Sequence, residues 1–208
     1  MRKKNVIMRR IVLLCGTMLI IGGAWGASNL RAKYVSSVTL TGEVDFSPSL
    51  ASDVTLLEHT VERKADGSYQ LKTSADTVNQ NEYKVMPGVD IPKDPFITIT
   101  DRSNIPAYLY VEVLDSLPST VTYDLTGDWQ KMTGVSGKHG GNVYVYAGSD
   151  ITVSATAQTI KILQNDLLTV SELYSGEDFS LDFYAYLYQK LDTETSPQVT
   201  FARASNEK

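Results

Sequence analysis

The stretch from Asn81 to Val113, NEYKVMPGVDIPKDPFITITDRSNIPAYLYVEV, limits what this chain can fold into more than any other. Pro87-Gly88 is a turn pair, because proline fixes φ and glycine permits φ > 0. Pro92 and Pro95 cannot donate to a sheet ladder, so they hold the chain extended at a sheet edge or outside it. Phe96-Ile97-Thr98-Ile99-Thr100 is rich in β-branched and aromatic residues and predicts a strand. After a turn over Asp101–Pro106, Tyr108–Val113 predicts its antiparallel partner.

The same pattern repeats along the chain. Val54–Arg63 and Ser68–Thr73 predict a hairpin around Lys64-Ala65-Asp66-Gly67, with Asp-Gly supplying the turn. Val121–Leu125, Asn142–Ala147, Ile151–Ala157, Thr159–Leu163 and Leu167–Val170 are further short strands. Gly134–Gly141 is the most flexible stretch by composition. Phe179–Gln189 is apolar or aromatic on both faces for much of its length, which predicts a central strand. Short strands, frequent turns and no helical period outside the leader predict an all-β chain. It should be an antiparallel β-sandwich of about ten short strands with a helical signal peptide in front.

Residues 1–26 have the form of that signal peptide. Arg2, Lys3, Lys4, Arg9 and Arg10 make a basic start, and Ile11–Ile21 is an apolar run too short to span a bilayer comfortably. Small residues precede the expected cleavage between Gly26 and Ala27; an uncleaved N-terminal anchor is the competing reading. Without those 26 residues, 14 basic face 24 acidic residues, and this balance argues against nucleic acid or anionic lipid as partners. The single cysteine, Cys15, lies in the leader, follows Leu14 rather than a small residue, and so is not read as a lipidation site; the exported chain would have no disulfide.

Residues 27–46 come next. Val38, Leu40, Val44 and Phe46 share one face of an alternating strand, with Thr39, Thr41, Glu43 and Asp45 on the other. Such a strand behind a cleavage site is either the ordinary first strand of the domain or a segment offered to another subunit. The sandwich domain is expected over 47–191, and 192–208 is a polar C-terminal tail expected to fray, with Val199-Thr200-Phe201 able to pair weakly.

Tyr83-Lys84-Val85-Met86-Pro87-Gly88, then Lys93-Asp94-Pro95 and a strand, resembles the TasA/camelysin (CalY) family. The GGAWGA leader ending and the Ala-Tyr-x-x-Gln ending of the last strand are similar to that family too. The residues that carry the likeness are Tyr83, Lys84, Pro87, Gly88, Lys93, Asp94 and Pro95. The resemblance implies a jelly-roll-like sandwich, export through a SipW-type signal peptidase, and a place in the biofilm matrix or on the cell surface of a Gram-positive bacterium. It also implies fibre assembly, in which Val38, Leu40, Val44 and Phe46 would be a donor strand added to the next subunit. The membrane would then be met only through the leader.

Reactive chemistry finds little footing. His59 stands on a strand, where Glu58 and His59 point to opposite faces. His139 sits in the glycine-rich loop and is expected in solvent. There is no H-E-x-x-H helix, which weighs against carrying over the metallopeptidase label that members of the resembling family have borne. Gly134-Val135-Ser136-Gly137 lacks the strand and helix of a nucleophile elbow, and no serine or threonine follows Lys138 as a P-loop requires. Glu177, Asp178, Asp192 and Glu194 read as solvated charges. No catalytic residue, metal or cofactor is assigned. The alternative function is a monomeric surface module for carbohydrate or host protein, using Tyr108/Tyr110 or Tyr144/Tyr146 as a stacking platform; a camelysin-like metallopeptidase is the weaker one.

Overall fold

The structure is a computed structural model that describes residues 54–72, 76–99, 106–147 and 158–206. The cleavage pair Gly26/Ala27 and the candidate donor residues Val38, Leu40, Val44 and Phe46 lie outside the described residues. Within them the chain is an all-β antiparallel sandwich with one α-helix.

One four-stranded sheet is built from β1 (Val54–His59), β4 (Thr77–Val78), β6 (Phe96–Ile99) and β11 (Gln158–Lys161), in the order β11-β6-β1-β4. Alternation sorts its side chains. Val54, Glu58, Ile97, Ile99 and Ile160 are buried, while Thr55, Leu57, His59, Phe96, Thr98, Thr159 and Lys161 occupy the wetter face. A small hairpin joins β2 (Val61–Arg63) to β3 (Tyr69–Leu71) at the expected Asp66-Gly67 turn, where Asp66 Oδ1 accepts from the Ser68 N–H at 2.9 Å. β5 (Ile91–Pro92), β8 (Val121–Thr122) and β12 (Leu167–Val170) form a third sheet ordered β5-β12-β8. Pro92 occurs on an end strand of this sheet, where its missing N–H leaves no gap in a ladder.

The second four-stranded sheet holds the largest core. It contains β7 (Ala107–Asp115), β9 (Trp129–Ser136), β10 (Asn142–Tyr146) and β13 (Leu181–Gln189), in the order β13-β7-β10-β9. β13 and β7 run in register from Leu181↔Asp115 to Gln189↔Ala107. That pairing stacks Tyr186 beside Tyr110 and Tyr188 beside Tyr108 on one face, while Leu109, Val111, Val113, Phe183 and Leu187 are buried on the other. The two four-stranded sheets touch through β1 and β13.

Three expectations are corrected here. β6 and β7 are not hairpin partners: β6 pairs with β1 and β11, and β7 with β13 and β10, so the two strands belong to different sheets. A strand buried on both faces, as β7 is, needs a layer above and below it, and β6 has one wet face. β13 is not central either; it ends its sheet among the described residues. Its two-sided burial comes from cover on both faces rather than from neighbours on both edges.

That cover supplies the third correction, in the segment read as a fraying tail. Pro197–Ala204 is an α-helix, α1. Ser196 caps it by accepting from the Val199 N–H, and Pro197 stands in the first turn, where its missing N–H costs nothing. Phe201 is 1% exposed and packs edge-on to Tyr110 at 5.1 Å and Tyr186 at 5.8 Å, and tilted to Tyr188 at 5.7 Å. The Tyr110 hydroxyl donates to the Pro197 carbonyl at 2.8 Å. Tyr108 and Tyr110 are therefore core residues, not an exposed platform. Glu194 is buried rather than solvated: Arg203 Nε donates to it, as do the Thr200 hydroxyl (2.8 Å) and the Leu191 N–H (3.0 Å). Burial pushes its carboxyl upward, but these donors outweigh burial and hold it below the ordinary glutamate range.

Truncating Phe201 to alanine should cost about 3–5 kcal/mol, the usual cost for a buried phenylalanine. Denaturant unfolding checks it, and a change too small to measure would mean the helix does not cover the core. Glu194 should add stability that is complete above the ordinary glutamate pKa of about 4.3 and is lost as pH falls through its lower folded value. The stability gap between wild type and Glu194→Gln should therefore shrink on acidification through that window; a gap independent of pH would contradict the assignment.

Candidate functional site

Two of the family-like motif residues, Lys93 and Asp94, meet β1. Glu58 and His59 leave the strand on opposite faces, and Lys93-Asp94 meets both. Inward, Lys93 Nζ lies 3.1 Å from Glu58 Oε2, and the two side chains are 0% and 1% exposed. Burial pulls the Lys93 ammonium below its ordinary value, and the Glu58 charge and hydrogen bond resist that, with help from Asp182 and Asp94. Glu58 Oε1 also accepts from the Asn81 N–H at 2.8 Å. The Asn81 side chain then bridges β1 and β2, donating to the His59 carbonyl at 2.8 Å and accepting from the Val61 N–H at 3.2 Å.

Tyr83 closes this pocket. Its ring lies 5.7 Å from Lys93 Nζ and edge-on to Tyr69 at 5.2 Å, and its hydroxyl donates to the Pro92 carbonyl at 2.8 Å. Burial, then the charges of Glu58 and Asp94 and the neighbouring Tyr69, push that phenol well above its usual value, so it stays a neutral donor. The Lys84 N–H donates to the Tyr69 hydroxyl at 2.8 Å. Pro87-Gly88 forms the expected turn: the Val89 N–H donates to the Met86 carbonyl at 3.2 Å, with Gly88 at φ +70°. The Gly88 N–H donates in turn to the Ser171 carbonyl at 3.1 Å, docking the turn onto the end of β12. Pro95 is buried, and its carbonyl accepts from the Ile162 N–H at 3.1 Å.

Outward, Asp94 grips His59 twice. Its Oδ2 is 2.5 Å from His59 Nδ1, and its Oδ1 accepts from the His59 backbone N–H at 3.0 Å. The pair lines a cleft of about 270 Å3 with Phe96, Thr159, Lys161 and Asp166. A histidine held at Nδ1 by a carboxylate has one defined tautomer when neutral and keeps Nε2 for other contacts.

His139 is exposed, as expected of the glycine-rich turn, but its ring is held in place. Its ring stacks on Tyr184 at 3.7 Å, with Nδ1 3.3 Å from Glu112 Oε2 and 3.2 Å from the Tyr186 hydroxyl. Glu112 is fully buried and accepts from the His139 N–H (2.9 Å), the Gly141 N–H (2.7 Å) and the Tyr186 hydroxyl (2.7 Å). The glycine run therefore serves close approach: a Cβ at Gly141 would stand 2.5 Å from the Val113 carbonyl oxygen, and one at Gly137 would strike the Glu112 carboxylate.

The seven motif residues are thus placed in one region, by long-range pairing rather than by their spacing alone. Their partners Glu58, Asn81 and Asp182 carry no signal beyond strand parity, and Glu112 none beyond its position opposite a glycine-rich turn. His59 and His139 belong to separate clusters. Among the described residues, no group of three or more His, Cys, Asp and Glu side chains is placed to hold a metal, and no helix is long and apolar enough to cross a membrane. No protein-family model matches the chain, and no curated protein does either.

Replacing Lys93 with methionine should strand Glu58 in the core and cost about 3–5 kcal/mol in denaturant unfolding. Adding Glu58→Gln, which removes the charge but keeps the acceptor for Asn81, should recover most of that loss. Equal destabilisation of the single and double variants would show that the charge pair is not what holds this region.

Proposed function

We propose that the chain is an exported structural subunit of extracellular matrix or cell-surface fibres, built by β-strand addition between copies, with the leader removed between Gly26 and Ala27 by a SipW-type peptidase. The observation that carries this reading is the use made of the family-like motif. Lys93, Asp94, Tyr83, Pro87 and Gly88 are engaged in ion pairs, backbone hydrogen bonds and a turn that fix one sheet to its connecting loop. Their work is architectural, as a fibre subunit's would be.

The sheets add a second support. Both four-stranded sheets are open, with β13 and β9 at the ends of one and β11 and β4 at the ends of the other among the described residues. An open antiparallel sheet offers backbone donors and acceptors to an added strand, and its pleat offers alternating side-chain sites that set register. The segment Val38–Phe46, with its apolar row Val38, Leu40, Val44 and Phe46, is the donor in this scheme.

Residues 27–208 should form fibres visible by electron microscopy, and deleting 27–46 should abolish them while leaving the β-rich circular dichroism spectrum of the remaining domain. Undiminished fibres after the deletion would remove the donor strand from the account. A processed chain that stays monomeric at every concentration tested would remove fibre assembly itself.

A further inference from the structure

The cleft beside His59 is lined by side chains that the fibre reading does not use. It lies on the wetter face of the β11-β6-β1-β4 sheet, where pairing sets Phe96 directly opposite Lys161 and next to Thr159. Four features make its chemistry specific.

The first is an apolar wall. Phe96 and the His59 imidazole lie 5.1 Å apart at 38°, and both are only partly buried. The second is a fixed hydrogen-bonding atom. Asp94 occupies Nδ1 of His59, and Nε2 makes no hydrogen bond among the described residues. The third is an ion pair facing the same space: Lys161 Nζ stands 2.5 Å from Asp166 Oδ2, with the Lys161 side chain 62% exposed. The fourth is backbone strain spent on this arrangement. Asn165 and Asp166 are consecutive residues at φ 59° and 53°, a conformation that single Asn or Asp residues tolerate and that costs energy when held. That bend comes shortly after β11 and returns Asp166 to Lys161.

The balance of charge narrows the ligand. An anion would meet Asp94 and Asp166. A cation would find both carboxylates already engaged, by His59 and Lys161. What remains is a neutral ligand with one apolar face and several groups that both donate and accept hydrogen bonds. The volume, just below the range of about 300–1,000 Å3 that holds drug-sized molecules, fits a single ring. We propose that the cleft binds one neutral pyranose unit of a glycan, its C–H face against Phe96 and its hydroxyls toward His59 Nε2, the Thr159 hydroxyl and the Lys161–Asp166 pair. The site is formed within one copy of the chain, so it stands or falls separately from fibre assembly.

The test is a titration of the isotopically labelled full chain with glucose, galactose and N-acetylglucosamine, followed by amide chemical shifts. At least one sugar should give saturable shifts at Phe96, His59, Thr159 and Lys161, with a dissociation constant in the millimolar range, on the order of 1 mM. Phe96→Ala should weaken that binding about tenfold, the worth of one aromatic contact. Lys161→Ala lies on the surface and leaves the core untouched; it should weaken binding about threefold to tenfold through lost hydrogen bonds. The inference is overturned if none of the three sugars gives a saturable shift at these residues up to about 100 mM, a range that would detect even very weak sites. It is also overturned if the shifts map elsewhere, if Lys161→Ala binds as wild type does, or if inorganic phosphate competes for the same residues.

Discussion

A lysine and a glutamate with no access to water hold the first sheet to the connection between β4 and β6. Taking two charges out of water costs several kcal/mol each, so Glu58 and Lys93 persist only because the surroundings finish the job. Asn81 satisfies the second carboxylate oxygen, Tyr83 offers its ring face to the ammonium, and Asp182 adds a further negative charge from β13. A hydrophobic pair of the same volume could supply equal stability. It would not discriminate between registers, because any apolar residue can slide past another. A buried charge tolerates one position, where its partner is, and this makes the loop from Asn81 to Pro95 a fixed part of the sheet.

A different economy governs the other sheet. Tyr108, Tyr110, Tyr186 and Tyr188 form a polar-edged aromatic layer, and such a layer stays dry only if something covers it and takes up its hydroxyls. The C-terminal helix covers the layer, with Phe201 between the rings, and takes up one hydroxyl, the Tyr110 O–H donating to the Pro197 carbonyl. Farther along the same face, Glu112 accepts from the Tyr186 hydroxyl while the β9–β10 turn folds over the carboxylate. Burial and that acceptor push the Tyr186 phenol upward, so it stays a neutral donor.

Local grammar was readable wherever one residue decides one geometry. Pro87-Gly88 gave its turn, Asp66-Gly67 its hairpin, and alternation gave β10 and β11. Pairing was not, because it depends on which layers a strand needs. Phe96–Thr100 and Tyr108–Val113 look like a hairpin by proximity, yet the first has one wet face and the second has none. The helix after Ser196 carried a faint signal: a cap residue, a proline in the first turn, and Thr200, Phe201 and Ala204 on one side. Eight residues of mixed polarity at the end of a strand-rich chain do not announce a helix, and the aromatic layer beneath explains why they fold. The partners of Lys93 and Asp94 were hidden for a simpler reason, since each bond spans 35 residues.

His59 shows how much a strand's alternation can accomplish. Glu58 and His59 are adjacent, so one backbone step separates a buried ion from a solvent-facing imidazole. Lys93 and Asp94 repeat that step in the loop opposite, and the two dipeptides pair side chain with side chain, Lys93 with Glu58 and Asp94 with His59. The consequence is mechanical. Whatever holds Lys93 in the core also sets the position of Asp94, and Asp94 sets the ring of His59 at the mouth of the cleft. The Lys93 backbone N–H also donates to the Asp166 carbonyl at 2.8 Å, so the strained bend that carries the second cleft carboxylate is anchored to the same residue. A single buried lysine thereby organises both walls of the outer cleft without reaching it, and the stability of the interior and the shape of the surface are one property of this part of the fold.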